Sequence, residues 1–161
     1  MFNLKKSEAE MSDQIGESTK LTHVVAVIGY VYRDGKFLLL KRNNPPLLWA
    51  PPGGRLDKNE DPKNGVIREV REETGLDVTV LQTADTWFGE IQPGKFMLAI
   101  DYLVEITGGT LRLSDEHCDF AWVSVDEIRQ NQGVDLGDPK VGFKADDFAA
   151  AEQLILKLKK N

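Results

Sequence analysis

The chain has 161 residues, 41% of them hydrophobic, with a net charge of −6 and a pI near 5. That is the size and composition of one ordinary globular domain with a sizeable core. The acidic balance argues against a nonspecific binder of nucleic acid or of membrane surfaces, which would carry basic patches. No apolar run approaches the length of a membrane span, and the first residues lack the apolar core of a signal peptide. A single cysteine, Cys118, excludes an intrachain disulfide and fits a reducing, cytoplasmic location.

Residues 1–20 are polar, mixed in charge and without sustained period, and read as an N-terminal extension in which Met11 is an alternative start. Residues 21–161 read as a single domain. His23 to Tyr32 is rich in β-branched residues, and Asp34-Gly35 signals a hairpin into a partner strand over Phe37 to Leu40. Near-continuous apolar runs of this kind predict strands covered on both faces. Arg42 to Pro52 is a proline-rich loop carrying Trp49. Asp61-Pro62 starts a helix, Asp as N-cap and Pro at its first position, and Thr74-Gly75 stops it. Strands are then predicted over Val78–Leu81, Thr86–Ile91 and Phe96–Ile106, with turns at Pro93-Gly94 and Gly108-Gly109. Ala121-Trp122-Val123 is a short strand, and Ser124 with Glu127 forms a capping box. A last helix over Asp146 to Lys160 carries Phe148, Ala151, Leu154, Ile155 and Leu158 on one stripe. Interleaved strands and helices with several hairpins give an α/β protein with a mixed sheet.

The helix after Asp61 carries the chemistry. Glu69, Glu72 and Glu73 stand at i, i+3 and i+4, so they share one face, with Cβ atoms about 5–6 Å apart. No lysine bridges them, and the face reads as unneutralised. Val66, Ile67 and Val70 form an apolar stripe on another side, so one face docks and its neighbour presents carboxylates. Clustered carboxylate oxygens suit hard divalent ions such as Mg²⁺ or Mn²⁺. A solvated acidic face would not need Gly53-Gly54 just upstream, a pair that lets backbone approach another chain, a metal or a phosphate.

Gly54, five residues, Glu60, seven residues, then Arg68-Glu69-Val70-x-Glu72-Glu73-x-Gly75-Leu76 resembles the box of the Nudix hydrolases at nine defined positions. The resemblance extends from about Thr22 to Lys160. Pro51-Pro52 departs from the family's usual single proline before the glycine pair. The resemblance implies an α/β/α sandwich with the box helix on one face of the sheet, and an Mg²⁺-dependent pyrophosphohydrolase, with Mn²⁺ as substitute. It assigns metal ligation to Glu72 and Glu73, with Glu69 as a further ligand or base and the Gly54 carbonyl in the same frame. Arg68 orients the glutamates, and Glu60 either pairs with that arginine or reaches the metal through water.

A second acidic cluster, Asp115, Glu116 and Asp119, precedes Trp122. Family resemblance makes Glu116 a further ligand or general base, on a loop able to swing in with substrate. Cys118 reads as a small packing residue. Trp49, Trp87, Phe88, Phe96 and Tyr102 are candidates to stack a base, and Arg33, Lys41 and Arg42 to meet phosphates. Pro93 lies near where the ADP-ribose-cleaving branch carries a proline, and a Pro-Gly turn explains it equally.

The implied substrate is a nucleoside diphosphate derivative: a nucleoside triphosphate, an oxidised nucleotide or an ADP-ribose-like compound. The composition argues against membranes as partners and against nucleic acid other than a capped or triphosphorylated RNA end; a homodimer is compatible with the sequence. A catalytically silent nucleotide-sensing or protein-interaction module is the competing class. An isoprenoid diphosphate isomerase is a third, and nothing marks Cys118 for that chemistry.

Overall fold

The computed structural model describes residues 23–160. The extension over residues 1–20 and the alternative start at Met11 lie outside the described residues. Strand β1 (Val24–Arg33) turns into β2 (Lys36–Arg42) through Asp34-Gly35, both at positive φ, 53° and 78°. Two left-handed residues give the mirror-image turn whose twist matches a hairpin. Two very short strands follow, β3 (Trp49–Ala50) on β2 and β4 (Gly53–Arg55) antiparallel to β1. Helix α1 (Pro62–Thr74) leads into a long hairpin, β5 (Leu76–Gln92) and β6 (Lys95–Gly109), and β6 runs parallel to β1 from Val24↔Met97 to Val31↔Val104. Strand β7 (His117–Val123) then pairs with β2, and helices α2 (Val125–Arg129) and α3 (Ala145–Leu158) close the chain.

The result is a seven-stranded mixed sheet in which β1 is central, with β6 on one side and β2 and β4 sharing the other. Alternation along the strands sends side chains to two cores. Val27, Val31, Leu38, Leu40, Val78, Tyr102 and Val104 meet Val66 and Val70 of α1. On the opposite face Tyr30, Phe37, Leu39 and Leu103 meet Val125 and Ile128 of α2 and Phe148, Ala151 and Ile155 of α3. This is the α/β/α sandwich that the resemblance implied. Both cores are close-packed. A Cβ on Gly29 would come within 2.7 Å of a Val70 methyl, so α1 sits directly on the β1 backbone.

The helix signals hold. The Asp61 side chain accepts from the Lys63 and Asn64 backbone N–H groups at 2.9 and 3.3 Å, and Gly75 takes a left-handed φ of 70° beyond the helix end. The capping box at Ser124 and Glu127 is closed in both directions. Three readings change. The segments Val78–Leu81 and Thr86–Ile91 belong to one strand of 17 residues, because register shifts between Val80 and Gln82 and between Thr83 and Asp85 absorb the polar stretch that looked like a break. Strand β7 begins at His117 rather than Ala121, its first half hidden by exposed Asp119 and Phe120. On α3, Leu158 is 39% exposed and does not join the buried stripe.

One buried polar pair interrupts the second core. Asp101 is 7% exposed; the Tyr30 hydroxyl donates to its Oδ2 at 3.3 Å, and its Oδ1 has no partner among the described residues. Burial pushes the carboxyl up to about 7 against the Tyr30 hydrogen bond, with the charges of Asp85 and Asp147 adding to the rise. A carboxyl raised in the folded state keeps its full contribution below its unfolded value of 3.8 and loses it as pH rises through 7. Urea titrations of the wild type and Asp101→Asn should therefore diverge from about pH 4 to about pH 8, the wild type losing stability relative to the variant. Parallel profiles would show that Asp101 is not held protonated.

Candidate active site

Three elements meet at the carboxylate face of α1: the helix, the glycine strand β4 and the segment leading into β7. The closeness of β4 explains its sequence. A Cβ on Gly53 would lie 2.2 Å from the Val27 carbonyl oxygen, and one on Gly54 would lie 2.7 Å from the Glu69 carboxyl group. No larger residue fits at Gly53, which faces backbone, and one at Gly54 would displace the Glu69 carboxylate. Despite the extra proline, the leader stays docked, with Gly29 N–H donating to the Pro52 carbonyl at 2.8 Å.

Arg68 is the hub of the face. Its Nε and Nη2 donate to the two oxygens of Glu60 at 2.7 and 2.8 Å, a bidentate pair. Its Nη1 donates to Glu69 at 2.9 Å and to Glu72 at 3.0 Å, and Nη2 also reaches the Arg55 carbonyl at 3.3 Å. The glutamate face is thus not unneutralised, contrary to the expectation from sequence; an arginine one residue before Glu69 bridges it from the side. The Arg68 hydrogen bond, then the Asp57 N–H, hold Glu60 down at about 2, and Glu60 in turn raises the guanidinium above its ordinary value. Glu69, half-buried, is pushed up by burial against the pull of Arg68.

Glu73 turns inward. It is 7% exposed, and its Oε2 accepts from the Gly53 N–H at 2.8 Å. Burial pushes it up to about 8 against that hydrogen bond, and the charges of Glu69, Glu116 and Glu72 raise it further. The segment after β6 is tied to the end of the same helix: Arg112 N–H donates to the Thr74 carbonyl at 2.8 Å and Ser114 N–H to the Glu73 carbonyl at 3.1 Å. Asn43 clamps the segment from the other side, its backbone N–H on the Glu116 carbonyl at 2.8 Å and its side-chain amide on the Asp115 carbonyl at 3.1 Å. Exposed Glu116 is thereby held where its charge is felt by Glu69 and Glu73. A loop free to swing is not what these four bonds describe.

Sequence reasoning singled out Gly54, Arg68, Glu69, Glu72, Glu73 and Glu116, and the structure brings them together. It did not single out His117, whose Nε2 lies 3.8 Å from Glu73 Oε1 and whose ring burial pushes below the usual imidazole range. Its place directly after Glu116 was the available signal. Asp119 of β7 pairs in register with Lys41 of β2, Asp115 stays exposed at the turn, and Cys118 is exposed rather than a packing residue. Of the aromatic candidates, Trp49 and Tyr102 are core residues and Trp87 is half-buried. Phe88 and Phe96 are exposed and stack on each other, 5.7 Å apart and 11° from parallel. Arg33 lies over Trp122 at 4.3 Å and Lys41 over Trp49 at 5.8 Å. Pro93-Gly94 is the exposed tip of the β5–β6 hairpin, which accounts for that proline without a substrate.

The donor set tests well against a hard divalent ion. Every candidate ligand is an oxygen, Arg68 is the one cation bonded to the glutamates among the described residues, and two of the carboxyls are pushed toward protonation. Among the described residues no three acidic, His or Cys side chains already converge as an ion would require, because Glu69 and Glu72 face Arg68 and Glu73 faces Gly53.

This frame has known counterparts. The NUDIX domain profile matches residues 22–142, and the chain belongs to the Nudix family. It is an enzyme of that family, a hydrolase that cleaves a diphosphate linkage. It is 34% identical to a MutT-like protein of Streptomyces ambofaciens over 67% of this chain and 68% of that one. It is 32% identical to the CTP pyrophosphohydrolase of Escherichia coli K12, over 69% and 82% of the two chains. The crystal structure of a MutT protein from Methanosarcina mazei Go1 superposes with a TM-score of 0.68 at 28% identity, covering 84% and 97%.

Replacing Arg68 removes the one group that holds three carboxylates. Arg68→Ala should lower stability by about 1–2 kcal/mol, the worth of hydrogen bonds to charged groups at a partly exposed site, read in urea melts of metal-free protein. Arg68→Lys should recover only part of this, since an ammonium cannot form the fork with Glu60. Equal stability of Arg68→Ala and wild type would remove Arg68 from its central place.

Proposed function

We propose that residues 21–161 form a single catalytic domain, a cytoplasmic Mg²⁺-dependent pyrophosphohydrolase of small nucleoside diphosphate derivatives, with Mn²⁺ as substitute. The substrate is a nucleoside triphosphate, an oxidised nucleotide or an ADP-ribose-like compound. The observation that carries this reading is the gathering of Glu69, Glu72, Glu73 and Glu116 at one end of α1, with Arg68 as the bonded counter-charge. Four acidic side chains so placed are costly to the fold unless a cation joins them.

In this reading Glu69, Glu72 and Glu73, with the Gly54 carbonyl and Glu116, hold the ion. When bound, the cation neutralises charge on the phosphoryl oxygens and acidifies water. The chain's own groups position these parts, which is most of what phosphoryl chemistry asks of a protein. Arg68 fixes the directions of Glu69 and Glu72, and the Gly53 N–H fixes Glu73. Glu69 and Glu116 are the carboxylates this reading assigns to take a proton from the attacking water. The silent-module reading has the weaker support, since every charged box residue is present and engaged.

A panel of dNTPs, oxidised dNTPs, ADP-ribose, dinucleoside polyphosphates and capped or triphosphorylated RNA, assayed with Mg²⁺ and with Mn²⁺, should give turnover on at least one small nucleotide. Metal-independent nucleotide binding with no product would favour the silent module. Glu72→Gln and Glu73→Gln should each cut turnover on the order of a hundredfold or more, since losing even an outer-shell partner costs about 10–100-fold. Lys58→Gln should change little. Glu116→Gln should lower kcat with an unchanged Mg²⁺ requirement if Glu116 takes the proton, and weaken both if it is a ligand. Near-wild-type rates for Glu72→Gln and Glu73→Gln at limiting Mg²⁺ would return the helix to a solvated charged face.

A further inference from the structure

We propose that His117 is a positioning residue for Glu73, with Ser114 setting which imidazole nitrogen faces the carboxylate. Glu73 has two oxygens in a buried place. Oε2 is held by the Gly53 N–H at 2.8 Å, and Oε1 faces His117 Nε2 at 3.8 Å. Both side chains are only 10% exposed, so water does little to orient either. At that separation the contact is longer than a hydrogen bond. The ring's bulk and its N–H together limit where Oε1 can go.

The other side of the ring is also occupied. His117 Nδ1 lies 3.4 Å from Ser114 Oγ, and the Ser114 N–H donates to the Glu73 carbonyl at 3.1 Å. The His117 N–H donates in turn to the Ser114 carbonyl at 3.2 Å. Glu73, Ser114 and His117 thus close a circuit in which backbone and side chains register one another. A Ser114 hydroxyl donating to Nδ1 leaves the ring proton on Nε2, the nitrogen that faces Glu73. In that tautomer the ring N–H stands opposite Glu73 Oε1, the oxygen not bonded to the Gly53 N–H. His117 makes no hydrogen bond to Arg68, Glu69 or Glu72, although the charge of the adjacent Glu116 acts on its ring.

Because the consequence for catalysis takes Glu73 as a metal ligand, the test reads Glu73 in two ways, one of them free of metal. Hydrogen exchange of the Gly53 amide reports whether its bond to Glu73 persists; the Gly65 and Gly75 amides, bonded within and at the end of the same helix, report the fold. In His117→Phe, which keeps the ring and removes its nitrogens, the Gly53 amide should exchange roughly tenfold faster with Gly65 and Gly75 unchanged, and Mn²⁺ binding by calorimetry should weaken by about 10–100-fold. His117→Gln, which returns an N–H, should stay near wild type in both. Ser114→Ala should shift both in the direction of His117→Phe, by less. Unchanged Gly53 exchange and Mn²⁺ binding in His117→Phe would overturn the inference while leaving the metal reading intact. Equal losses in Phe and Gln variants with faster Gly65 and Gly75 exchange would also overturn it, making His117 a packing residue. Faster Gly53 exchange with no Mn²⁺ binding by any form of the protein would uphold the positioning role and sink the metal reading instead.

Discussion

One guanidinium makes the acidic helix tolerable. Glutamates at i, i+3 and i+4 repel one another, and burying any of them adds a desolvation cost that an exposed helix avoids. Arg68 spends nearly all of its five donors on this problem, forking onto Glu60 and bridging Glu69 to Glu72. Glu60 is itself fixed by the Asp57 N–H at 2.9 Å, so the loop before α1 and the helix are registered through a single side chain. Glu73 lies outside that network and is served by backbone from β4 instead. The helix therefore needs both an arginine at its own surface and a glycine strand beside it, and the central position of β1 provides the second.

Much of this was legible in the sequence, and the reasons are local. Asp61-Pro62 and Thr74-Gly75 fix the ends of α1 through bonds made within a few residues, so the carboxylate spacing could be read directly. The glycine pair pointed to a close approach, and the approach is there, to the Val27 carbonyl on one side and Glu69 on the other. The neutralising arginine stands beside Glu69 in the sequence and i, i+4 from Glu72, a bridging position that arginine fills as well as lysine would. The continuous β5 was harder, because Gln82 to Asp85 has the composition of a turn and only pairing with β6 shows that it bulges and continues. Tertiary register decides such segments; local propensity does not.

The grouping around His117 was not readable for the same reason. Nothing in the spacing between Glu73 and His117 announces a contact, since it depends on the chain after β6 laying Arg112 and Ser114 onto the last carbonyls of α1. Those carbonyls lack helical partners and must be satisfied by something. The returning segment satisfies two of them, and the ring of His117 arrives at Glu73 as a result. A requirement of helix termination thus delivers both Glu116 and His117 to the carboxylate face.

The energetics of the two buried carboxyls, Glu73 and Asp101, show how differently a fold treats similar groups. Each is raised by burial, and each has one hydrogen-bond donor, the Gly53 N–H for Glu73 and the Tyr30 hydroxyl for Asp101. Asp101 sits in the core beneath α3, with an unpartnered Oδ1 among the described residues and no other carboxylate bonded through a common cation. A proton relieves it. Glu73 feels the charges of Glu69, Glu116 and Glu72, and protonating it would leave those three carboxylates in place, with Arg68 bonded to Glu69 and Glu72. Proton uptake there relieves one charge of several, whereas a divalent cation relieves the set together. That difference in what surrounds them, rather than the size of either shift, is why the face of α1 and not the Asp101 pair is read as the place where chemistry happens.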